Sequence, residues 1–219
     1  MISRKVLKSV LVARVRSCGW NGMGKRFFDI LAAAIGISVL IPLWLWITWR
    51  IRQEDGGPIF YRGERTGIGG KPFRIFKFRT MVVDAERLGA SSTPDDDGRI
   101  TRIGWFLRRH KLDELPQLIN VLVGDMSLVG PRPEVKKFTD LYMDEETAIL
   151  TVRPGITDWA SLWNSDEGTL LKGSRDPDRD YFEKIRPEKI RLQLKYVQDR
   201  SFRTDVKILF LTLKKLFLK

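Results

Sequence analysis

The longest uncharged stretch of the chain runs from Ile30 to Trp49. It holds about twenty residues, the length that a helix needs to cross the hydrocarbon core of a bilayer. The stretch is too long for the apolar part of a cleavable signal peptide, and no small-residue cleavage site follows Trp49. The sequence therefore predicts a helix that resides in a membrane.

Basic residues flank this stretch on both sides. Lys25 and Arg26 precede it, and Arg50 and Arg52 follow it. Because Lys and Arg near a membrane helix favour the cytoplasmic side, both ends of the helix are predicted to lie on that side.

Pro42 lies within the uncharged stretch. Proline removes a backbone donor and clashes with the preceding turn, which bends a helix sharply. Trp44, Trp46 and Trp49 follow the proline and suit the headgroup level of a bilayer. We therefore expect residues 25–52 to form a re-entrant helix that breaks at Pro42 inside the membrane. A straight span with a kink is the alternative.

The sequence predicts one segment before this helix and one domain after it. Residues 1–24 form a basic extension with an amphipathic helical pattern, and residues 53–219 are expected to be a cytoplasmic catalytic domain. From Val206 onward apolar and Lys residues interleave again, which predicts a second amphipathic helix at the membrane surface. Cys18 is the only cysteine, which excludes an internal disulfide and fits a cytosolic working face.

Charge and histidine content narrow the chemistry. The net charge is +12, from 39 Lys and Arg against 27 Asp and Glu, so the expected partners are polyanions such as lipid headgroups, phosphorylated substrates or nucleic acid. His110 is the only histidine, which gives little support to a histidine-based zinc site or a Ser-His-Asp triad. Acid–base chemistry must therefore rely on carboxylates.

The apolar pattern after the membrane stretch predicts an α+β fold that is mostly helical. Short β-prone runs at Ile59–Arg62 and Phe73–Arg79 flank a glycine-rich stretch and predict a short β-hairpin. Helical spacing predicts helices at 82–89, 103–109, 115–123, 134–148 and 187–199. The expected architecture is a re-entrant membrane helix and a small cytoplasmic catalytic domain with this hairpin and amphipathic interfacial helices.

Asp113 and Glu114 stand directly before one of these helices. Pro116 suits the first turn of that helix, where its missing donor is harmless. Backbone amides and the positive end of the helix dipole favour negative charge at such a position. A carboxylate there can attack phosphorus while its neighbour accepts a proton or binds a metal. An adjacent Asp-Glu pair at a helix start more often only stabilises the helix through its interaction with the helix dipole.

Basic residues elsewhere complete a set suited to phosphoryl transfer. Arg132 lies between two prolines that restrict its backbone, and Arg153 precedes Pro154. The candidate substrate-binding residues are Lys77, Arg79, Arg108, Arg132 and Arg153. Such cations, together with Mg²⁺, would neutralise the charge of a diphosphate substrate, although each residue taken singly could be a solvated surface group.

Several long motifs resemble those of the bacterial sugar transferases, also called monotopic phosphoglycosyl transferases. The resemblance covers residues 25 to 217. It is carried by the segments 25–29 (KRFFD), 57–60 (GPIF), 76–81 (FKFRTM), 112–118 (LDELPQL), 124–133 (GDMSLVGPRP) and 152–157 (VRPGIT), together with the Pro42 break.

The resemblance implies a ping-pong reaction at the cytoplasmic face of the bacterial inner membrane. Asp113 would attack the β-phosphorus of a UDP-sugar, release UMP and hold the phosphosugar covalently. Polyprenyl phosphate, which is undecaprenyl phosphate in most bacteria, would then accept the phosphosugar in the first membrane step of glycoconjugate or polysaccharide synthesis. Glu114 would activate the carrier phosphate or assist a magnesium ion bound near Asp113.

The resemblance also assigns the basic residues. Lys77, Arg79 and Arg108 match basic positions of the family's site, while Arg132 and Arg153 match its nucleotide or diphosphate platform. Two positions depart from the family pattern: Ile41 replaces a serine found in many members, and Asp158 begins a segment that usually reads Gly-Trp-Ala-Gln.

Two rival interpretations stay open at this point. In the first, Asp113 is only a magnesium ligand and transfer is direct in a ternary complex. In the second, the chain is a non-catalytic basic membrane scaffold or a nucleic-acid-binding protein. No helix-turn-helix, RNP-like or zinc-finger pattern is present, so no nucleic-acid partner is predicted. The sugar donor and the existence of a homodimer are left open.

Overall fold

The computed structural model describes residues 22–85, 93–164 and 167–217. Its α-helices are α1 (Met23–Asp55), α2 (Arg102–Arg109), α3 (Gln117–Val123), α4 (Lys136–Thr139), α5 (Trp159–Trp163), α6 (Glu167–Leu170), α7 (Pro177–Asp180), α8 (Arg186–Asp199) and α9 (Phe202–Phe217), and a π-helical turn at Tyr181–Ile185 joins α7 to α8. Its strands are β1 (Phe60–Tyr61), β2 (Glu64–Thr66), β3 (Pro72–Arg74), β4 (Lys77–Phe78), β5 (Ser127–Val129) and β6 (Gly155–Thr157). The mostly helical α+β prediction is confirmed.

The uncharged stretch forms the middle of α1, which is 33 residues long. The helix ends where Gly56 adopts a left-handed conformation, with φ 67°, and donates its N–H to the carbonyl of Arg52. It is long and apolar enough to cross a membrane. Within its most apolar 18-residue segment, only 11% of the residues are buried within the protein. α1 continues through Pro42 as a single helix, so the predicted break is not confirmed. The basic extension predicted at 1–24 lies almost entirely outside the described residues.

Both halves of α1 pack against the rest of the described chain. Near its start, Ala33 belongs to a buried cluster with Val121 of α3 and Met126. Near its end, Ile47 and Ile51 belong to a second buried cluster, which also contains Phe78, Ile103 and Leu107. Apolar side chains between these contacts stay exposed, including Val39 at 72%.

The predicted β-hairpin is confirmed, as two short antiparallel ladders. β1 pairs with β4 so that Tyr61 lies opposite Lys77, and β2 pairs with β3 so that Thr66 lies opposite Pro72. The connecting turn uses Gly69 and Gly70, whose φ values of 66° and 77° favour glycine. The hairpin thereby fixes Lys77 on a strand beside the helical layer.

A parallel pair of strands, β5 and β6, was not predicted. Ser127 lies opposite Gly155, and Val129 lies opposite Thr157. The backbones then approach so closely that a Cβ atom added at Gly155 would lie 2.0 Å from the amide nitrogen of Gly130. Glycine at both positions permits this approach, which joins the loop before Arg132 to the segment after Arg153.

Some of the predicted helices are confirmed and others are not. Those at 103–109, 115–123 and 187–199 are confirmed as α2, α3 and α8, and the C-terminal amphipathic helix is confirmed as α9. The helix predicted at 134–148 is wrong: α4 ends at Thr139, and a 3-10 turn covers Glu146–Thr151. The Glu146 carboxylate accepts the backbone N–H of Met143 at 2.9 Å, which favours a local turn there.

The helix predicted at 82–89 is not an α-helix over its described part. Residues 82–85 form a turn in which Asp84 has a φ of 60°. A left-handed residue of this kind ends a right-handed helix. The remainder of the predicted helix lies outside the described residues.

Candidate active site

The adjacent carboxylates lie on a tight turn that follows α2. Thr101 caps the start of α2 by accepting the N–H of Gly104 at 3.0 Å, and Glu54 of α1 accepts the N–H groups of Arg102 and Ile103 at 2.6 and 2.9 Å. At the far end Lys111 takes a left-handed conformation, with φ 55°, and reverses the chain. A 3-10 turn over Leu112–Glu114 follows, so this reversal places both carboxylates between α2 and α3.

Asp113 is buried, with 7% of its surface exposed. Within the described residues, no group donates a hydrogen bond to its carboxylate. Burial raises the pKa of Asp113 above its usual value, while the positive charge of Lys77 acts in the opposite direction. A carboxylate that accepts no hydrogen bond from the described residues is available to an incoming cation or substrate.

Glu114 has the opposite environment. Its Oε1 accepts a hydrogen bond from Lys77 Nζ at 2.8 Å, its Oε2 accepts one from Arg132 Nη1 at 2.8 Å, and Arg132 Nη2 also contacts Oε1. Burial opposes ionisation of Glu114, but the charges and hydrogen bonds of Arg132 and Lys77 outweigh it and hold its pKa well below the usual range. The ionised form of Glu114 is therefore favoured, and it orients two cations.

Separate elements bring those two cations together. Lys77 comes from β4, and Arg132 follows β5 between Pro131 and Pro133. The carbonyl oxygen of Arg132 accepts a hydrogen bond from Gln193 Nε2 at 3.3 Å. The structure thus brings Lys77 and Arg132 to the carboxylate pair; their role in substrate binding stays a prediction.

Arg108 lies near the end of α2 and contributes to the same electrostatic field. Its charge lowers the pKa of Asp113, although less than that of Lys77. Its Nη1 atom is buried, and no hydrogen-bond acceptor for it lies within the described residues. A buried guanidinium nitrogen without an acceptor can serve an anionic substrate.

Arg79 and Arg153 are placed differently. Arg79 binds the carboxylate of Asp55 with both terminal nitrogens and donates from Nε to the carbonyl of Pro58 at 2.6 Å. Arg153 donates from Nε to the carbonyl of Gly124 at 3.1 Å. Gly124 follows the last residue of α3. The seven residues of α3 span about 10 Å, and Gly124 lies at the end of this helix that is farther along the chain from the carboxylate pair. The assignment of both arginines to substrate binding stays a prediction.

Sequence reasoning gave no role to Gln117, the first residue of α3. Its side chain is fully buried, and neither amide atom has a hydrogen-bond partner within the described residues. The signal available in the sequence was its place three residues after Glu114, at the start of the predicted helix.

Comparison with known proteins places this chain in a family. Residues 20–219 match the protein family described as "Bacterial sugar transferase". The chain belongs to the bacterial sugar transferase family. It is 39% identical, over 87% of its length, to the UDP-N-acetylgalactosamine-undecaprenyl-phosphate N-acetylgalactosaminephosphotransferase of Aeromonas hydrophila.

Two UDP-glucose:undecaprenyl-phosphate glucose-1-phosphate transferases of the family are also similar. The protein of Escherichia coli (strain K12) is 36% identical over 91% of this chain, and that of Caulobacter vibrioides is 37% identical over 88%. The chain spans 43% of the length of the Aeromonas relative, 41% of the E. coli relative and 69% of the Caulobacter relative.

Asp158, where this chain departs from many family members, is fully buried. Its Oδ1 caps α5 by accepting the N–H and the hydroxyl of Ser161 at 2.7 and 2.8 Å. Its Oδ2 accepts the backbone N–H of Arg132 at 3.4 Å. Asp158 therefore supports the loop that carries Arg132.

Proposed function

We propose that this chain is a phosphoglycosyl transferase that moves a sugar-1-phosphate from a UDP-sugar to polyprenyl phosphate. The observation that carries the proposal is the contrast within the carboxylate pair: Asp113 is buried without a partner, whereas Glu114 holds Lys77 and Arg132 beside it. Relatives named for undecaprenyl-phosphate sugar-phosphate transfer support the same reaction class.

In the proposed mechanism an Asp113 oxygen attacks the β-phosphorus of the UDP-sugar. A bond forms between that oxygen and phosphorus, the bond to the bridging oxygen breaks, and the electron pair leaves with UMP. An oxygen of polyprenyl phosphate then attacks the same phosphorus, which gives polyprenyl-diphosphate-sugar and frees the Asp113 carboxylate. Lys77, Arg108 and Arg132 would stabilise charge on the transferred phosphoryl group.

Glu114 is best suited to hold Lys77 and Arg132 in position. A carboxylate whose pKa is well below its usual range is a weak base, which disfavours Glu114 as the proton acceptor for the carrier. The proposal therefore gives Glu114 an electrostatic role.

Mg²⁺ fits this donor set. Within the described residues, no group of three or more His, Cys, Asp or Glu side chains could hold a metal ion. Mg²⁺ commonly uses one or two carboxylates together with substrate phosphates, and Asp113 is the carboxylate without a protein partner. When bound, the ion would neutralise charge on the diphosphate.

The proposed location is the cytoplasmic face of the bacterial inner membrane, with α1 entering and leaving on the same side. Support comes from the contacts of α1: its first half packs on α3 and its second half on α2 and β4, all in one domain. Both ends therefore lie beside the catalytic domain. The exposed apolar side chains of α9, including Phe210 and Leu213, fit a helix on the same surface.

The first test is UMP release from a panel of UDP-sugars, with Mg²⁺ and undecaprenyl phosphate. We expect release with at least one donor, and a loss of at least about 1,000-fold in Asp113→Asn. No release across the panel by folded protein would contradict the proposal. Labelled phosphosugar trapped on the protein without carrier would support the covalent route, and its absence in a single turnover would favour direct transfer with Asp113 as a magnesium ligand.

Cysteine labelling tests the topology. In a Cys18→Ser background, Gln53→Cys reports the end of α1, and Lys136→Cys reports the catalytic domain. We expect both to be protected from an impermeant reagent in intact cells and labelled after permeabilisation. Labelling of Gln53→Cys alone in intact cells would contradict the re-entrant arrangement.

A further inference from the structure

The loop that carries Arg132 has few backbone donors. Pro131 and Pro133 lack an N–H group, so Arg132 supplies the only backbone donor of residues 131–133. Side chains bind both polar groups of its backbone: the N–H donates to Asp158 Oδ2 at 3.4 Å, and the carbonyl accepts a hydrogen bond from Gln193 Nε2 at 3.3 Å. The place of Arg132 in the site therefore depends on side chains that lie 26 and 61 residues away in the sequence.

Gln193 reaches this loop from α8, and the residue is 0% exposed. Lys189, four residues before it and on the same helix face, binds Glu134 at 2.6 Å. One face of α8 thus holds the loop at Glu134 and at the Arg132 carbonyl. Of these two contacts, that of Gln193 is made with the residue that binds Glu114.

The amide of Gln193 is only half paired. Its Nε2 donates to the Arg132 carbonyl, whereas its Oε1 is buried and has no hydrogen-bond partner within the described residues. The cost of one unpaired buried acceptor is as large as the gain from one neutral hydrogen bond, so this amide contributes little net stability. A buried polar group of this kind calls for another explanation, and its contact with Arg132 provides one.

The guanidinium of Arg132 needs accurate placement. Its Nη1 donates to Glu114 Oε2 at 2.8 Å and its Nη2 contacts Oε1, so the pair is bidentate. A bidentate pair requires the guanidinium plane to be fixed in both position and rotation. The flanking prolines leave few torsions to absorb a shift of the Arg132 carbonyl, so a shift there moves the side chain as well.

We propose that Gln193 is a positioning residue for Arg132: its hydrogen bond to the Arg132 carbonyl sets where the guanidinium meets Glu114 and the transferred phosphoryl group. The inference rests on the proposed function. Gln193 touches no reacting atom, and it neither gains nor loses a proton in the transfer step. Misplacement of a catalytic group by about 1 Å can reduce the rate about 100-fold, and we expect the loss of this one contact to reduce it about 10-fold.

Gln193→Met tests this role, because methionine has a similar length and cannot donate a hydrogen bond. We expect kcat/KM for the UDP-sugar to fall about 10-fold per folded molecule. The measurements are steady-state UMP release and thermal unfolding in the same detergent. A wild-type kcat/KM in Gln193→Met would overturn the positioning role.

Tyr196→Phe is the matched control on α8. The Tyr196 side chain is also buried, and its hydroxyl lies 3.0 Å from the carbonyl of Val129 and 2.9 Å from Asp205 Oδ1. Its loss should lower the melting temperature and leave kcat/KM per folded molecule unchanged, because Val129 lies outside the site. An equal loss of kcat/KM in both variants would overturn the proposal, since any loosened contact of α8 would then suffice.

A double variant tests whether Gln193 acts through Arg132. Arg132→Lys keeps a positive charge but lacks the planar fork that binds Glu114 with two nitrogens. In this background Gln193→Met should lower kcat/KM by less than about twofold, because residues that act through one another are not additive. A further fall as large as that seen with Arg132 intact would overturn the proposal, because Gln193 would then act independently of Arg132.

The same measurements separate failure of the inference from failure of the proposed function. If wild-type protein and Gln193→Met release UMP equally, only the inference fails. If folded wild-type protein releases no UMP from any donor, the proposed function fails and the inference fails with it.

Discussion

Buried charge is arranged differently in two regions of the molecule. In the paired layer, formed by Glu134, Glu146, Tyr181, Arg186 and Lys189, each carboxylate has a close partner: Arg186 binds Glu146 at 2.5 Å, and Lys189 binds Glu134 at 2.6 Å. In the dyad turn, residues 108–117, the side chains of Arg108 and Gln117 have buried polar atoms without a hydrogen-bond partner among the described residues, whereas both carboxylate oxygens of Glu114 accept hydrogen bonds. Both carboxylates of the paired layer are therefore bound by a cation, whereas in the dyad turn Glu114 is bound by two cations and Asp113 by none in the described part of the chain.

The largest effect is expected from Glu114→Gln in the dyad turn. The change removes the anion that orients Lys77 and Arg132, so we expect UMP release per folded molecule to fall about 100-fold or more. Glu183→Gln is the control, because Glu183 forms only an exposed pair with Arg179 and should leave the rate unchanged. A near-wild-type rate in Glu114→Gln would show that the cations hold their positions without it.

The opposite outcome is expected in the paired layer. Glu146→Gln leaves Arg186 buried without its counter-charge, and breaking such a pair costs about 3 kcal/mol. For a chain of this size we expect a fall in melting temperature of about 6–12 °C, with kcat per folded molecule retained. A loss of kcat without a change in melting temperature would show that Glu146 serves the reaction and not stability.

The sequence predicted the dyad turn better than the paired layer. Asp113, Glu114 and Pro116 carry a local signal, because a proline and two acids mark a helix start. Lys77 and Arg132 were selected by type and motif, and the hairpin and the loop after β5 bring them to Glu114. Local patterns therefore identified most members of the site.

The rest depends on contacts between distant parts of the chain. The partner of Arg79 is Asp55, 24 residues away, and the pairing of β5 with β6 joins residues that no periodicity links. The single helix predicted at 134–148 failed because Glu146 binds Met143 and Arg186 instead of continuing a helix. Tertiary contacts of this kind override local propensity.

The pH dependence of the reaction tests the charge balance at Asp113. Activity requires the ionised form, so kcat/KM should fall as pH drops through the pKa of Asp113, which burial raises and Lys77 lowers. In Lys77→Met the acidic limb should therefore move to higher pH. Lys136→Met, which removes an exposed lysine, should leave the limb in place. An unchanged limb in Lys77→Met would show that Lys77 does not act on Asp113.

Variants of Asp158 test whether its contact with the Arg132 backbone serves the reaction or only stability. We expect their effects to be the smallest. Burial raises the pKa of Asp158 above the usual 3.8, so the folded state binds its proton more tightly than the unfolded state does. Wild-type stability should therefore decrease as pH rises from 3.8 through the folded-state pKa.

Asp158→Asn removes that ionisation while asparagine still caps α5 through Oδ1, and it loses only the long hydrogen bond that Oδ2 accepts from Arg132 N–H at 3.4 Å. Its melting temperature at neutral pH should equal or slightly exceed that of wild type, and the difference should vanish at pH values below 3.8. Asp158→Ala loses the cap and should be less stable by about 1 kcal/mol. If Asp158→Asn kept its stability but lost UMP release, the buried carboxylate would act through Arg132 on the reaction and would belong to the dyad turn.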